Sequence, residues 1–420
     1  MKKFGYILFF LLLHQSLQAA HILLPMDESQ RNHLKAYGIA YWVLSQGGEV
    51  DWLLNYKGGS FAFEHTQAFE SELVIRGVSY SVISGAQYNQ VLSEINNPNA
   101  NMDIMKLEKT PKIAVYSPKT KQPWDDAVTL VLTYAEIPYD VVFDEEVLQD
   151  QLAKYDWLHL HHEDFTGQYG KFFSVYKNQP WYIQEKRENE EVARKYGYKK
   201  VSQLKLAVVK KIRTFVTGGG FMFAMCSATD TYDIALSADG VDICESMYDG
   251  DPADRSAQGK LDYTNTFAFK DFKLKMNPYE YEYSNIDNQM SERNGLYEQN
   301  DFFQLFKFSA KWDPIPTMLT QNHVHIIKGF MGQTTAFKKR LIKSEVLIMG
   351  ETKQANEARY IHGTFGEGTW TFYGGHDPED YQHFVNEKPT DLNLHPNSPG
   401  YRLILNNVLF PAAKKKKRKT

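Results

Sequence analysis

Gly218-Gly219-Gly220-Phe221-Met222-Phe223-Ala224-Met225-Cys226-Ser227-Ala228-Thr229-Asp230-Thr231 is the stretch that decides the fold. Before it, residues 201–216 carry Leu204, Val208, Ile212 and Phe215 at helical spacing. The three glycines break that helix, and an unbroken apolar run then reads as a buried strand. Small residues follow Cys226, and a second helix is expected near Thr229. Helix, strand, helix in this order sets Cys226 at the carboxyl end of a strand, where open α/β sheets bind ligands. A helix N-terminus nearby favours the thiolate. A buried structural cysteine is the competing reading.

Working outward, the same rhythm recurs. Residues 112–116 read as a strand, 124–135 as a helix, 139–143 and 155–160 as strands, and 346–349 and 369–373 as later strands, with a closing helix at 401–409. The expected fold is α/β, a doubly wound, mostly parallel sheet of flavodoxin-like type. Ahead of it, strand 21–25, helix 31–44 and strand 50–55 suggest a βαβ lobe over residues 21–101, ending in an Asn/Pro-rich connector at 96–101. The α/β domain is expected over 110–248 and 345–410. Residues 249–344, rich in Asp, Asn, Tyr and Phe where the rhythm fails, read as an inserted irregular subdomain.

The two ends are of another kind. Met1-Lys2-Lys3, an apolar run from Phe4 to Leu13 and a close at Ala19-Ala20 have the order of a cleavable secretion signal over 1–20. About ten apolar residues are too few to span a bilayer, and no later stretch is apolar enough. The expectation is a periplasmic or secreted protein without a transmembrane span, and nucleic acid is excluded as a partner. Residues 411–420 read as a solvated basic tail. Its Lys414–Lys419 charges could give peripheral contact with an anionic surface. Only two cysteines occur, Cys226 and Cys244, and an oxidising compartment could join them.

A second motif, Gly374-Gly375-His376-Asp377-Pro378-Glu379, follows the strand at 369–373. With Cys226 it suggests a catalytic set: Cys226 as nucleophile, His376 as base, and Glu379 or Asp377 as the orienting carboxylate. Main-chain N–H groups at the start of the Thr229 helix would stabilise an oxyanion. A third cluster, His159-Leu160-His161-His162-Glu163-Asp164, closes the strand at 155–160. His159 and His161 share a face there. Such a set suits a zinc-like ion, the walls of a ligand site, or a structural role. We assign His159, His161, His162, Glu163, Ser227, Thr229, Asp230 and Asp377 to substrate contact, and assign neither a metal nor a cofactor. Asp125 or Asp126 reads as a helix N-cap, and the acidic run 249–254 as a solvated turn more than a calcium loop.

The strand-Cys-helix turn and the late His-x-Pro-Glu resemble the class I glutamine amidotransferase-like superfamily. That resemblance implies a Cys-His-Glu site, although the elbow here is Met225-Cys226-Ser227 and Asp377 precedes Pro378. The glycine-rich entry of 218–231 and the run Phe372-Tyr373-Gly374-Gly375-His376 are similar to its ThuA-like (trehalose-utilisation) branch, for which sugar-related roles are implied. Lys35-Ala36-Tyr37-Gly38 and the cluster at 159–164 also resemble exported proteins of Bacteroidota-like bacteria labelled asparagine synthetase B. The N-terminal cysteine and Ser-Gly-Gly-x-Asp-Ser loop of true class II synthetases do not occur here. The expected activity is therefore hydrolysis of an amide or sugar-derived small molecule through Cys226, with carbohydrate binding without catalysis as the alternative.

Overall fold

The computed structural model describes residues 20–413 except 121, 289–291, 294 and 322–323. The secretion signal, the basic tail and His323 thus lie outside the described residues, apart from Ala20 and the residues 411–413.

The doubly wound unit is present. Strands β6 (Ile113–Tyr116), β7 (Asp140–Val142), β8 (Trp157–Leu160), β9 (Phe221–Met225) and β15 (Gly368–Tyr373) pair in parallel in the order β7-β6-β8-β9-β15. This is the flavodoxin-like order, with its switch point between β6 and β8. The apolar run of β9 is sorted by the strand period of two: Phe221, Phe223 and Met225 enter one core, Met222 and Ala224 the opposite one. Helix Val201–Thr217 covers the second face with Val208, Val209, Ile212 and Val216. Burying such side chains contributes roughly 2 kcal/mol each before chain entropy is counted. Helix Ala127–Tyr134 lies on the first face, with Asp126 as its N-cap accepting from Thr129 N–H at 2.8 Å.

Two expectations change. The sheet is mixed, because β10 (Phe302–Leu305), β11 (Ile326–Lys328), β13 (Leu347–Thr352) and β14 (Glu357–Phe365) extend it beyond β15 through antiparallel pairs, and β12 (Phe337–Lys338) pairs with β14. Residues 249–344 thus supply strands to the main sheet. The N-terminal region forms a five-stranded antiparallel sheet, not a parallel βαβ lobe. In the order β4-β1-β3-β2-β5, β3 (Ser60–Glu64) inserts between β1 (His21–Leu24) and β2 (Val50–Leu54), flanked by β4 (Ser81–Ile83) and β5 (Asp103–Leu107).

One core joins both sheets. Helices His33–Ser45 and Pro399–Leu409 pack between them with Ile22, Trp52, Val115 and Phe223. Arg402 is buried there and donates to Met26 O at 3.2 Å and to Gly58 O. Among the described residues no helix is long and apolar enough to cross a membrane.

Candidate functional site

Cys226 closes β9 with φ of 49°, the left-handed region that a β-carbon disfavours. Such a conformation costs of order 1–3 kcal/mol and persists where the surroundings fix it. Here Cys226 N–H donates to Gly375 O at 3.1 Å, tying the cysteine turn to the glycine turn that ends the neighbouring strand β15. A strained strand-to-helix turn that presents one nucleophilic side chain is the geometry of a nucleophile elbow. The sulfur faces a cavity of about 230 Å³, also lined by Trp124, His162, Phe172, Tyr281 and His376.

Burial pushes the Cys226 thiol up to about 11, against the pull of the Thr334, Gln333 and Ser227 main-chain N–H groups. The Gln333 N–H donates to Sγ at 3.3 Å. Desolvation therefore outweighs the helix-terminus effect, and the resting sulfur is a thiol at neutral pH. Cys226 and Cys244 are both free, so the disulfide allowed by the sequence does not form; Cys244 Sγ donates to Thr166 O at 3.2 Å. The expected oxyanion donors are engaged elsewhere. Ala228 N–H donates to His161 O at 3.1 Å and Thr229 N–H to Cys226 O at 3.2 Å.

His376 leaves β15 and lines the same cavity as Cys226. Among the described hydrogen bonds none joins the two, and His376 Nδ1 has no partner. Burial, followed by the neighbouring His161, His383 and His162, holds the imidazole well below its usual pKa, so it is neutral. Glu379 does not orient it: its Oε2 stands 3.2 Å from His395 Nδ1. Asp377 instead fixes the loop, accepting from Glu379 N–H at 2.9 Å and from the Thr390 hydroxyl at 2.7 Å. The three-residue spacing that suggested a His-Glu pair would align the two on a helix, and no helix forms there.

The third cluster does gather at the switch point. His159 in β8 and His161 just past its end both meet Asp126 Oδ2, at 3.3 and 3.2 Å. These imidazoles hold the Asp126 carboxyl well below its ordinary pKa despite burial. His159 Nδ1 also reaches Phe223 O at 3.2 Å, and its ring stacks on Trp157, so it lies in the core beneath the site. His162 lines the cavity and accepts from the Trp124 indole N–H at 2.6 Å. His161, His162 and His376 form one ring cluster, with centroids 4.8 Å apart for His161–His162 and 4.2 Å for His161–His376, both pairs tilted.

The remaining assigned residues lie behind the cavity wall. Glu163 accepts from His161 N–H at 3.2 Å and is pushed up to about 8 by burial. Ser227 Oγ is buried without a partner. The Thr229 hydroxyl donates to Cys226 O at 2.7 Å. Asp230, raised to about 7 by burial, accepts from the Thr334 hydroxyl at 2.9 Å.

Sequence reasoning missed most of the cavity lining, four members of which bear on its chemistry. Trp124 follows β6 and was read only as the entry to a capped helix. Tyr281 and Gln333 come from the irregular segment, whose sequence carries no periodic signal. His383 stacks on His376 at 3.8 Å and its Nδ1 lies 2.6 Å from Glu387 Oε1. The acidic run at 249–254 surrounds a cation of the chain itself: Lys200 Nζ meets Asp242 at 2.5 Å, Asp249 at 3.1 Å, and Asp251.

No family model matches the chain, and no curated protein matches it either. Among solved structures it is similar to the cytoplasmic protein STM3548 of Salmonella typhimurium, at 10% identity and a TM-score of 0.32, covering 73% of this chain and 100% of that one. The cytoplasmic protein STM1381 of Salmonella typhimurium LT2 gives 12% identity and 0.34, covering 72% and 100%. A GH42 β-galactosidase of G. stearothermophilus, Gan42B, gives 12% identity and 0.28, with 64% of this chain covering 28% of the enzyme. Likeness at these levels carries no assignment of function.

Proposed function

We propose that the chain is an exported, amidotransferase-like hydrolase that uses Cys226 on a small amide or sugar-derived substrate. The observation that carries this reading is the strained Cys226 turn, which sets a lone sulfur on the wall of a ligand-sized cavity beside a neutral, unpartnered imidazole. The thiol is protonated at rest and gives its proton to His376 as Sγ bonds to the substrate carbonyl carbon. That proton then passes to the leaving nitrogen or oxygen as its bond to the carbonyl breaks. Water cleaves the thioester, returning a proton to sulfur. Asp125 replaces Glu379 as the carboxylate beside this histidine pair, with Oδ1 at 3.5 Å from His383 Nδ1.

A panel of small amides and glycosylamides, quenched in acid and read by intact mass, tests the proposal. A substrate-sized adduct on the Cys226 peptide, absent from Cys226→Ala, is expected. Turnover retained in Cys226→Ala would overturn it. A non-catalytic carbohydrate site is the second reading, favoured by the aromatic residues Trp124, Phe172 and Tyr281 that line the cavity. Saturable sugar binding without any adduct or turnover would select it.

A further inference from the structure

The switch point gathers more imidazole than a cysteine mechanism requires. One nitrogen from each of His161, His162 and His376 lies within 4.8 Å of the other two. His161 and His376 are buried and His162 half-buried. His161 Nε2, His162 Nδ1 and His376 Nδ1 are all inaccessible and have no hydrogen-bond partner. The large majority of buried side-chain polar atoms are paired, so unpartnered nitrogens on three histidines whose ligating atoms lie within 4.8 Å of one another suit a shared guest.

The surroundings are also those of a metal centre. Asp126 Oδ2 stands 3.2 Å from His161 Nδ1 without hydrogen-bond geometry, and its negative charge favours the ring proton on that nitrogen, which leaves the Nε2 lone pair for a ligand. An outer carboxylate behind a metal-ligating histidine works in this way. Nitrogen donors suit first-row transition ions, whereas magnesium and calcium take oxygen. Of the four further groups of ligating type among the described residues, Asp126/His159/His161 and Asp125/His376/His383 each share a histidine with this one, Asp380/His383/Glu387 is only half-buried, and Asp242/Cys244/Asp249 has Lys200 seated against two of its members.

We propose that His161 Nε2, His162 Nδ1 and His376 bind one first-row divalent transition-metal ion on the wall of the Cys226 cavity, with Asp126 as the outer carboxylate. Zinc–nitrogen bonds of about 2.1 Å put tetrahedral ligands about 3.4 Å apart. The rings therefore draw inward on binding. Trp124 reports that movement. Its indole N–H now donates to His162 Nε2, which places the His162 proton on Nδ1. Ligation through Nδ1 shifts that proton to Nε2 and expels the indole N–H. The site does not depend on the Cys226 reading, since a dead thiol would leave it intact; with an ion on His376 Nδ1, the thiol proton of that reading would go to His376 Nε2.

Untagged protein, stripped with chelator and dialysed, is titrated with zinc by calorimetry and assayed for bound metal after gel filtration. One equivalent is expected, with a change in Trp124 fluorescence that Trp124→Phe abolishes. His162→Ala and His376→Ala should each weaken binding at least 100-fold, and Asp126→Asn 10–100-fold, while Cys226→Ala stays within threefold of wild type. His162 lines the cavity and is only half-buried, so His162→Ala keeps the fold, checked by circular dichroism. No uptake by the wild-type protein, unchanged affinity in His162→Ala, or loss of the equivalent in Cys226→Ala would each overturn the site.

Discussion

The protonation state of Cys226 sets a measurable rate. Its thiol is pushed up to about 11 by burial, from an ordinary value of 9.0. At pH 8 the thiolate fraction is then about one in a thousand, against about one in ten for an ordinary thiol, so alkylation slows roughly 100-fold. The perturbation is a pH series from 6 to 10.5 with iodoacetamide, read as the labelling rate of the Cys226 peptide by mass spectrometry. Cys244 is buried behind Thr166 O and serves as an internal slow control. The logarithm of the rate should rise with unit slope through pH 10. With no hydrogen bond between the thiol and the His376 ring, His376→Ala should alter the rate at pH 8 by less than threefold. A plateau between pH 6 and 9, or a tenfold fall in His376→Ala, would show a resting thiolate–imidazolium pair and refute the reasoning.

Two further predictions concern stability. His362, fully enclosed between β13 and β15 with Nδ1 2.9 Å from the Thr371 hydroxyl, has its pKa lowered by burial to about 3. The neutral ring favours the fold fully above about pH 6.5, and this contribution falls by about 1.4 kcal/mol per unit below it. Urea melts should therefore show wild type losing about 2 kcal/mol relative to His362→Gln between pH 7.5 and 5, and a constant difference would contradict the assignment. Lys205 and Asp144 form a buried pair at 2.8 Å, with side chains 6% and 0% exposed. Asp144→Ala strands the ammonium and should cost about 3–5 kcal/mol, while Asp144→Leu with Lys205→Met recovers most of it. A loss under about 1 kcal/mol in the single variant would show that water reaches the lysine.

The parts of the site that were legible are those whose side chains are dictated by a regular period. His159 and His161 were read onto one strand face, so their meeting at one carboxylate was within reach of the sequence, and the N-cap reading had already put Asp125 or Asp126 at the start of the adjacent helix. Cys226 and His376 end parallel neighbouring strands and therefore reach one cavity. Glu379 was misplaced because a three-residue spacing orients an acid only on a helix, and the loop after His376 turns instead. The N-terminal sheet was misread because no strand was expected at Ser60–Glu64, and the insertion of β3 between β1 and β2 replaces the expected βαβ pairing with antiparallel pairs.

Gly218 to Thr231 by itself determined a buried strand delivering a cysteine into a turn before a helix, since an unbroken apolar run between two helices can be satisfied only inside an α/β sheet. The tertiary structure alone decided what that cysteine is. Burial leaves it a neutral thiol and the first helix N–H groups find other acceptors, while the irregular segment brings Gln333 to its sulfur. Those outcomes depend on desolvation and on contacts such as Gln333 with Cys226 and Ala228 with His161, between segments far apart in the chain, which no local pattern encodes.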